Sequence, residues 1–452
     1  MNYLKYNLGW GLPPNHLINS DNIVKAMNYG LRENICVDKE NRLYNYSDPR
    51  GDKLVRDTVS QWYSKQIKCN VSPNNIVITF GATIGILSVC CALLTNRGIN
   101  GDVLLVECPG FFPIYKMFKD QGFNLVSLKR EKEGCFNFSA FEELLIKRNG
   151  CDGNKNINID FSLKDNINIK NDRIRAFYLV TNFSNPLGYN LKLNERSKLY
   201  ELAHKYKFYV ISDDIYELLY FNESIREIPL FFCDKRSSIG ETQHLTTYDN
   251  NSTYYIVSIN SFNKAICPSV RTGFVHGHKD IINKILDDGV LYAPCGLVSY
   301  NQFTVSSYIK LGYMDDHLKK QREFLKKNMN IAVKILMDNI YIKNYNNIEQ
   351  TETNKKLLEK NDNKLYSFNI PDGGYFIFLY LNELIDIDKV NKLQSSYEIN
   401  YIKGIDTIPN MFRNLYPEFK FTIRLAISCL KPDLLQESLY IFIELLNDCI
   451  IK

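Results

Sequence analysis

The sequence predicts an α/β protein with a large domain, in which helices flank a mostly parallel sheet, and a smaller α+β domain. Three observations support this prediction. The chain has 452 residues, which exceeds one typical core. Apolar strand-like runs alternate with helical patterns through about the first 280 residues, as in a parallel sheet covered on both faces. After residue 278 the pattern changes to helices and short strands.

In the alternating part of the sequence, the hydrophobic pattern predicts each helix and strand. The pattern predicts helices at 21–33, 54–67, 84–94 and 194–206, and strands at 75–80, 102–107, 176–181, 208–212, 254–259 and 272–276. A turn at Gly81-Ala82-Thr83 is predicted between the first of these strands and the helix that follows. Such a turn exposes backbone N–H groups at the positive end of the helix and suits a phosphate.

The remaining part predicts the smaller domain. Its elements are helices at 280–286, 301–311, 315–339 and 432–447 and strands at 375–381, 399–402 and 421–427. We expect residues 1–45 to join this domain, residues 46–325 to form the large domain and residues 326–452 to form the small one. The Asn-rich segments 150–172, 233–252 and 344–363 are predicted to be surface insertions.

Composition argues against several classes of protein. A net charge of +5 with scattered basic residues does not indicate nucleic-acid binding. Twelve cysteines without a C-x-x-C pair predict free thiols in a reducing, cytoplasmic setting. No metal site is expected, because His276 and His278 have no partner cluster nearby in the sequence. The longest apolar run, Ile84 to Leu94, is too short to span a membrane.

The stretch SINSFNKAICPSVRTGFVHG carries the main chemical signal. Lys264 follows a predicted strand, and Ser261 and Arg271 flank it with a hydroxyl and a cation. A partly desolvated lysine beside a cation can act as a nucleophile, and the other two side chains suit a phosphate. The set therefore suggests pyridoxal phosphate carried as a Schiff base. A solvated lysine and a surface arginine remain the alternative.

Other polar signals fall at the carboxyl ends of predicted strands, where ligands bind in open α/β sheets. They are the turn Gly81 to Thr83, Asn185, Asp213, Tyr216, Ser261 and Lys264. Their convergence at one edge of the sheet indicates a site.

These motifs resemble the fold-type I pyridoxal-phosphate enzymes of aminotransferase class I and II over nearly the whole chain. The matching segments are GWGLP, FGATIG, ECPGFF, TNFSNPLG, SDDIYE, SFNKAICPSVRTG and FTIRLAISC. The resemblance implies that Lys264 forms the Schiff base and also moves the substrate proton. It assigns the cofactor phosphate to Ala82, Thr83, Ser261 and Arg271, the pyridine nitrogen to Asp213, and the phenolic oxygen to Asn185 and Tyr216.

The resemblance also implies positions around the substrate. Arg424 would bind the substrate α-carboxylate, with Asn185 and Gly11 beside it. Phe111 would stack on the cofactor ring, although a plain core role is the alternative. Tyr46 would reach the cofactor phosphate of a partner subunit in a homodimer. The Asn185–Pro186 peptide is expected to be cis, whereas Asp214 and Arg50 are expected to be structural or surface residues.

Within this family, YSDPRGDKLVRDTVSQWY and the segment that begins VSYNQFTVSSY are similar to 2-aminoadipate/kynurenine-type aminotransferases. The aminotransferase-like half of certain bacterial transcription regulators shares these motifs. Because GWGLP begins at residue 9, we expect no preceding DNA-binding domain. Asn263, Ser269 and Asn410 depart from the usual pattern without removing a chemical role.

The predicted function is a transaminase that moves an amino group from an L-amino acid of the 2-aminoadipate, kynurenine or aromatic type to a 2-oxo acid. The alternatives are a β-lyase that acts on cysteine conjugates and a non-catalytic binding protein with the same fold. The sequence identifies neither the amino donor nor a second arginine for a distal carboxylate.

Overall fold

The structure is a computed structural model that describes residues 4–36, 46–98, 101–150, 173–233, 254–293, 299–341 and 363–451. Its strands are β1 (Tyr6–Asn7), β2 (Ile76–Thr79), β3 (Val103–Cys108), β4 (Asn124–Lys129), β5 (Ile174–Val180), β6 (Tyr209–Asp213), β7 (Ile256–Ser261), β8 (Gly273–Gly277), β9 (Tyr366–Phe368), β10 (Phe376–Leu381), β11 (Ile399–Asn400), β12 (Ile402–Lys403) and β13 (Thr422–Ala426).

The helices follow the same chain order. They are α1 (Ser20–Cys36), α2 (Lys53–Ile67), α3 (Gly81–Leu93), α4 (Phe112–Asp120), α5 (Phe138–Asn149), α6 (Leu193–Tyr206), α7 (Lys279–Asp287), α8 (Gly289–Tyr292), α9 (Ser299–Lys310), α10 (Tyr313–Asp338), α11 (Ile387–Leu393) and α12 (Pro432–Asp448).

A seven-stranded sheet in the order β2-β8-β7-β6-β5-β3-β4 organises the larger part of the molecule. Only β8 runs against its neighbours, so the carboxyl ends of the other strands lie at one edge. Helices α3, α4 and α7 pack in one apolar cluster, and α5 and α6 pack in another. This is the predicted sheet with helices on both faces, and it is confirmed.

Burial on both faces explains the composition of the strands. Every residue of β2, β3 and β6 is buried, so these strands are continuous apolar runs rather than alternating ones. Their few polar residues lie at the carboxyl ends, where the chain leaves the sheet.

A second sheet, in the order β12-β13-β10-β9, is antiparallel throughout. Helices α10 and α12 contribute apolar residues to the cluster packed against it. Strand β1 pairs in parallel with β11 and so ties the first described residues to this part of the molecule.

Two expectations about elements were wrong. The segment 399–402 was predicted to be one strand, but its first two residues pair with β1 and its last residue begins β12, which pairs with β13. The break falls at Tyr401, whose buried ring packs against Phe442. The turn predicted at Gly81 to Thr83 is the first turn of α3, because Gly81 adopts a positive φ of 73° at the strand end and the helix begins there.

Other elements were not identified individually from the sequence, among them β1, β9, α5, α8 and α11. The three Asn-rich segments lie almost entirely outside the described residues. Within the described ranges, no helix is both long enough and apolar enough to cross a membrane.

A buried ion pair fixes the strand ends near the middle of the large sheet. The Glu107 carboxylate lies 2.6 Å from the Arg130 guanidinium, and both side chains are fully buried. Glu107 also accepts a hydrogen bond from the N–H of Val180, while Arg130 donates to the Val180 carbonyl. This pair therefore holds the end of β5, from which the chain continues to Asn185.

Candidate active site

Lys264 lies in the turn after β7, at the carboxyl edge of the large sheet. Its Nζ donates to the carbonyl of Gly11 at 2.7 Å and lies 5.7 Å from the ring centres of Tyr216 and Tyr375. Its own carbonyl accepts hydrogen bonds from Gln321 Nε2 and the Tyr375 hydroxyl. Burial lowers the pKa of Lys264 to about 8, and the positive charge of Arg424 contributes to this shift. The amine is thus far closer to its neutral, nucleophilic form than a surface lysine.

Asp213 is the last residue of β6 and is 1% exposed. Its Oδ2 accepts a hydrogen bond of 2.7 Å from the Tyr178 hydroxyl, and its Oδ1 has no partner. Burial raises the pKa of Asp213 to about 7, with a further contribution from the charge of Asp214. A buried carboxylate oxygen without a partner is costly in the protein alone and suits a cationic or N–H group of a ligand.

The neighbouring Asp214 behaves differently. Its carboxylate accepts hydrogen bonds from the side chains of Thr181, Asn182, Ser212 and Ser258. Both of its carboxylate oxygens are therefore engaged inside the protein, in contrast to those of Asp213. Arg50, also expected to be peripheral, donates to Asn283.

Asn185 and Tyr216 lie together in the same buried space. Asn185 Oδ1 accepts a hydrogen bond from Arg424 Nη1 at 2.8 Å, and burial raises the pKa of the Tyr216 hydroxyl well above its ordinary value. The Tyr216 ring packs edge to face against Tyr375 and Phe376. The Asn185–Pro186 peptide is cis, which confirms the expectation from the sequence.

Arg424 reaches this space from the middle of β13, where it pairs with Phe378 on one side and Ile402 on the other. Its Nη2 donates to the Gly9 carbonyl, its guanidinium lies 4.5 Å from the ring centre of Phe376, and its buried Nε has no partner. Burial lowers the pKa of Arg424 to about 10. No carboxylate of the described residues forms an ion pair with Arg424 or with Lys264.

Groups that can donate hydrogen bonds to a phosphate surround an open space at the start of α3. A Cβ atom on Gly81 would lie 3.1 Å from Asn263 Nδ2 and 3.4 Å from Arg271 Nη2, so only glycine leaves this space open. Ser261, the last residue of β7, accepts from the Asn263 N–H, and Asn263 Oδ1 is buried without a partner. Ala82 and Thr83 occupy the first turn of α3, whose N–H groups have no partners within the helix.

Three other predicted site residues contribute less to this buried space. Phe111 is half-buried at the start of α4 and packs against two apolar clusters. Gly11 contributes its carbonyl to Lys264. Tyr46 is 89% exposed in the single chain.

Four site residues were missed from the sequence: Tyr178, Gln321, Tyr375 and Cys429. The first three hold Asp213 or the Lys264 backbone, and the Cys429 thiol donates to the Trp10 carbonyl at 2.8 Å. Tyr178 could have been inferred, because it lies two residues before the end of a buried strand that neighbours β6. Nothing in the pattern of the other three distinguishes them from core residues.

The large sheet is mostly parallel and is covered by helices on both faces. A lysine lies at its carboxyl edge, and donors that suit an anion lie at the start of a helix. These features define the class of fold-type I pyridoxal-phosphate proteins. The chain belongs to the aminotransferase class I and II family, whose model matches residues 5–365.

Curated relatives in this family include enzymes and regulators. The aromatic-amino-acid aminotransferase 1 of Thermococcus litoralis is 21% identical over 396 residues, which cover 87% of this chain and 78% of that protein. Two HTH-type transcriptional regulators of Bacillus subtilis, YdfD and YisV, are 24% and 22% identical over 74% and 76% of this chain. The chain spans only 55% and 56% of the length of these two regulators.

Solved structures with the same fold cover nearly all of the chain. The multiple substrate aminotransferase of Thermococcus profundus superposes with a TM-score of 0.73 at 20% identity and covers 99% of this chain and 92% of its own. LysN, the α-aminoadipate aminotransferase of Thermus thermophilus, was solved with N-(5'-phosphopyridoxyl)-L-leucine and gives 0.71 at 20% identity, with 98% and 92% covered. The kynurenine aminotransferase of Pyrococcus horikoshii, solved with PMP, gives 0.72 at 20% identity, with 98% and 91% covered.

The cofactor of this family is pyridoxal 5'-phosphate, and the described residues fit it. The partnerless Oδ1 of Asp213 matches a protonated ring nitrogen, and the open space beside Gly81 matches a phosphate. Among the described residues, no group of three His, Cys, Asp or Glu side chains could hold a metal ion.

The raised pKa of Asp213 gives a prediction for protein stripped of cofactor. The ordinary pKa is 3.8 and the folded value is about 7, so between these values folding takes up a proton. The contribution of the protonated Asp213 carboxyl to the free energy of unfolding is therefore lost as the pH rises from 3.8 towards about 7. Asp213→Asn, which stays neutral, should raise Tm at pH 8 by about 1–3 °C and have little effect at pH 4.

Differential scanning fluorimetry at the two pH values measures this difference. Asp372→Asn, which alters a carboxylate that is 42% exposed, is the control and should leave Tm nearly unchanged at both. An equal effect of Asp213→Asn at both pH values would contradict the assignment of a buried, titrating carboxyl.

Proposed function

We propose that the protein is a pyridoxal-phosphate-dependent aminotransferase that transfers an amino group from an L-amino acid to a 2-oxo acid. One observation carries the proposal. Lys264 and Arg424 lie in one buried space with no ion-pairing carboxylate among the described residues, and Asp213 keeps one oxygen without a partner. An anionic substrate and a cofactor with a cationic ring nitrogen would satisfy all three groups.

Several residues would hold the cofactor. Arg271, Ser261, Asn263 and the N–H groups of Ala82 and Thr83 would bind its phosphate, which accepts several charge-assisted hydrogen bonds. Asp213 would bind the ring nitrogen, and Tyr178 orients the Asp213 carboxylate from the other side. Asn185 and Tyr216 would donate to the phenolic oxygen, and Phe111 would stack on the ring.

When bound, pyridoxal phosphate supplies an electron-withdrawing ring that makes the substrate Cα–H acidic. Lys264 Nζ would take the Cα proton and return it at the neighbouring carbon of the cofactor, a role that suits an amine with a pKa of about 8. Arg424 would hold the α-carboxylate and so fix the Cα–H bond relative to Lys264. The reaction would then reverse with a 2-oxo acid, in two half-reactions.

We propose a donor of the 2-aminoadipate, kynurenine or aromatic type. Solved structures with this fold include an α-aminoadipate and a kynurenine aminotransferase, and a curated relative is an aromatic-amino-acid aminotransferase. The aromatic surroundings, with Phe376 under Arg424 and Tyr375 beside Lys264, favour the kynurenine and aromatic donors over 2-aminoadipate, whose side chain ends in a carboxylate.

We also propose a cytoplasmic homodimer whose two sites lie at the interface. The nine cysteines whose side chains the structure describes are free thiols, which suits a reducing compartment. Helix α1 exposes Val24 and Met27, and the side chain of Tyr46 is almost fully exposed. Phe80, which lies against Arg271 of the proposed phosphate site, is also 38% exposed in the single chain. Exposed apolar side chains near the site are what an interface with a second subunit would cover. An active species that sediments as a 52.6 kDa monomer would contradict the dimer.

The covalent attachment of the cofactor to Lys264 gives one prediction of the proposed function. Borohydride reduction of the protein with pyridoxal phosphate should fix the cofactor to Lys264, which peptide mass mapping detects. Lys264→Ala should abolish this label and the transfer of amino groups to 2-oxoglutarate or pyruvate, whereas Lys326→Ala, an exposed lysine that donates to Asn222, should change neither.

Each other outcome contradicts a part of the proposal. A label on another lysine would remove Lys264 from its role. Oxo acid formed from the donor together with free ammonia, without an amino acid product, would indicate a β-lyase. A labelled protein without either product would indicate a binding protein.

The binding of the substrate carboxylate by Arg424 gives another prediction. Truncating one partner of a desolvated, hydrogen-bonded charge pair costs about 2–5 kcal/mol. Arg424→Ala should therefore lower kcat/KM for every amino and oxo acid by roughly 30-fold to several thousand-fold. Cofactor affinity should barely change, because the proposed phosphate ligands remain. Loss of cofactor or of Tm with a normal KM would show that Arg424 is structural, and Arg413→Ala, whose partner is Asp406, is the matched control.

A further inference from the structure

The segment Gly9–Leu12, called the strap below, crosses the site with its carbonyls directed at functional side chains. The Gly9 carbonyl accepts from Arg424 Nη2, and the Gly11 carbonyl accepts from Lys264 Nζ at 2.7 Å. The single S–H of Cys429 donates to the Trp10 carbonyl at 2.8 Å, and the sulfur lies 3.5 Å from the Leu12 carbonyl oxygen. Four consecutive carbonyls are thus contacted by only three side chains.

The chain before the strap is held independently. Leu8 donates its N–H to the Asn400 carbonyl and accepts from the N–H of Ala426. Asn7 Oδ1 accepts from the N–H groups of Gly9 and Trp10 at 3.1 and 3.2 Å. The first N–H groups of the strap are therefore bound by Asn7, and Cys429 contacts the carbonyls of residues 10 and 12.

The strap lies so close to its neighbours that two of its positions exclude a side chain. A Cβ on Gly11 would lie 2.4 Å from the Phe376 ring, and one on Gly9 would lie 2.6 Å from Asn400 Nδ2. This close approach allows the backbone carbonyls, rather than side chains, to contact Arg424 and Lys264.

The strap contributes to the orientation of Arg424. Asn185 Oδ1 binds Nη1 and the Gly9 carbonyl binds Nη2, so two acceptors fix the plane of the guanidinium. Nε remains buried without a partner. Nε is thus a donor that the protein leaves for a carboxylate oxygen.

We propose that Cys429 is a positioning residue: its thiol anchors the strap at the Trp10 carbonyl, next to the Gly9 carbonyl that Asn7 also helps to place, and so keeps Arg424 oriented for the substrate carboxylate. The inference rests on the proposed function for its kinetic consequence, but the strap contacts stand without it. Cys429 lies three residues after the end of β13, so the segment that follows the strand of Arg424 carries the thiol that anchors the strap.

Kinetics separate this role from a merely structural one. A hydrogen bond of this kind contributes little by itself, so Cys429→Ala should raise KM for amino and oxo acids roughly two- to tenfold. We expect kcat and the affinity for pyridoxal phosphate to stay close to those of the unmodified protein, because Lys264 and the phosphate cradle are retained. Cys429→Ser, which keeps a donor, should restore KM towards normal.

A second readout does not require turnover. The chain has two tryptophans, Trp10 in the strap and Trp62 in the core. In a Trp62→Phe background, acrylamide quenching reports on Trp10 alone, and Cys429→Ala should increase it while Cys429→Ser should not. Cys135→Ala is the matched control, because it removes a half-buried thiol from the turn between β4 and α5.

The same variants are titrated with 3-phenylpropionate, an unreactive carboxylate, to give a dissociation constant. We expect weaker binding of 3-phenylpropionate, again roughly two- to tenfold, only in Cys429→Ala. Unchanged quenching and unchanged carboxylate affinity in Cys429→Ala would overturn the inference, whether or not the protein turns over. Absence of transamination in the unmodified protein, with the expected quenching and binding changes, would instead overturn the proposed function alone.

Discussion

Repulsion between two cations in one buried space is the constraint on which the site depends. Lys264 and Arg424 lie near each other, away from bulk water, and burial, with the charge of Arg424 as the second cause, lowers the pKa of Lys264 to about 8. Neither has an ion-pairing carboxylate among the described residues, and the nearby Asp213 has its own pKa raised by burial. The protein alone therefore carries an electrostatic cost that an anionic ligand would offset.

The fold supplies the scaffold that tolerates this cost. Asp213 and Lys264 lie at the carboxyl edge of the large sheet and Arg424 on the small one, and neutral groups contact them in place of counter-charges. Carbonyls of Gly9 and Gly11, the amide of Asn185 and the hydroxyl of Tyr178 fix the charged groups without neutralising them. Asp214, by contrast, receives four hydrogen bonds and anchors the strand ends beneath the site.

Local patterns predicted much of this architecture, because both faces of the large sheet are buried and its strands are therefore uniform apolar runs. Polar residues at strand ends, such as Asp213 and Ser261, stand out against those runs. The family resemblance added Arg424, which no local pattern connects to Lys264. Contacts between distant segments could not be predicted: the thiol of Cys429 looks like any other cysteine until the strap is placed beside it. The split of the segment 399–402 was missed for the same reason, since only the partner strands distinguish β11 from β12.

The central claim is that burial and Arg424 together hold the Lys264 amine near neutrality. Its most direct test is the pH dependence of the rate at which acetic anhydride acetylates Lys264 in cofactor-free protein, followed by mass spectrometry. The account predicts a midpoint near pH 8, and a shift to higher pH in Arg424→Gln, which removes the charge and retains hydrogen-bond donors. A midpoint close to 10.5, the ordinary pKa of lysine, or an identical midpoint in both proteins, would contradict it.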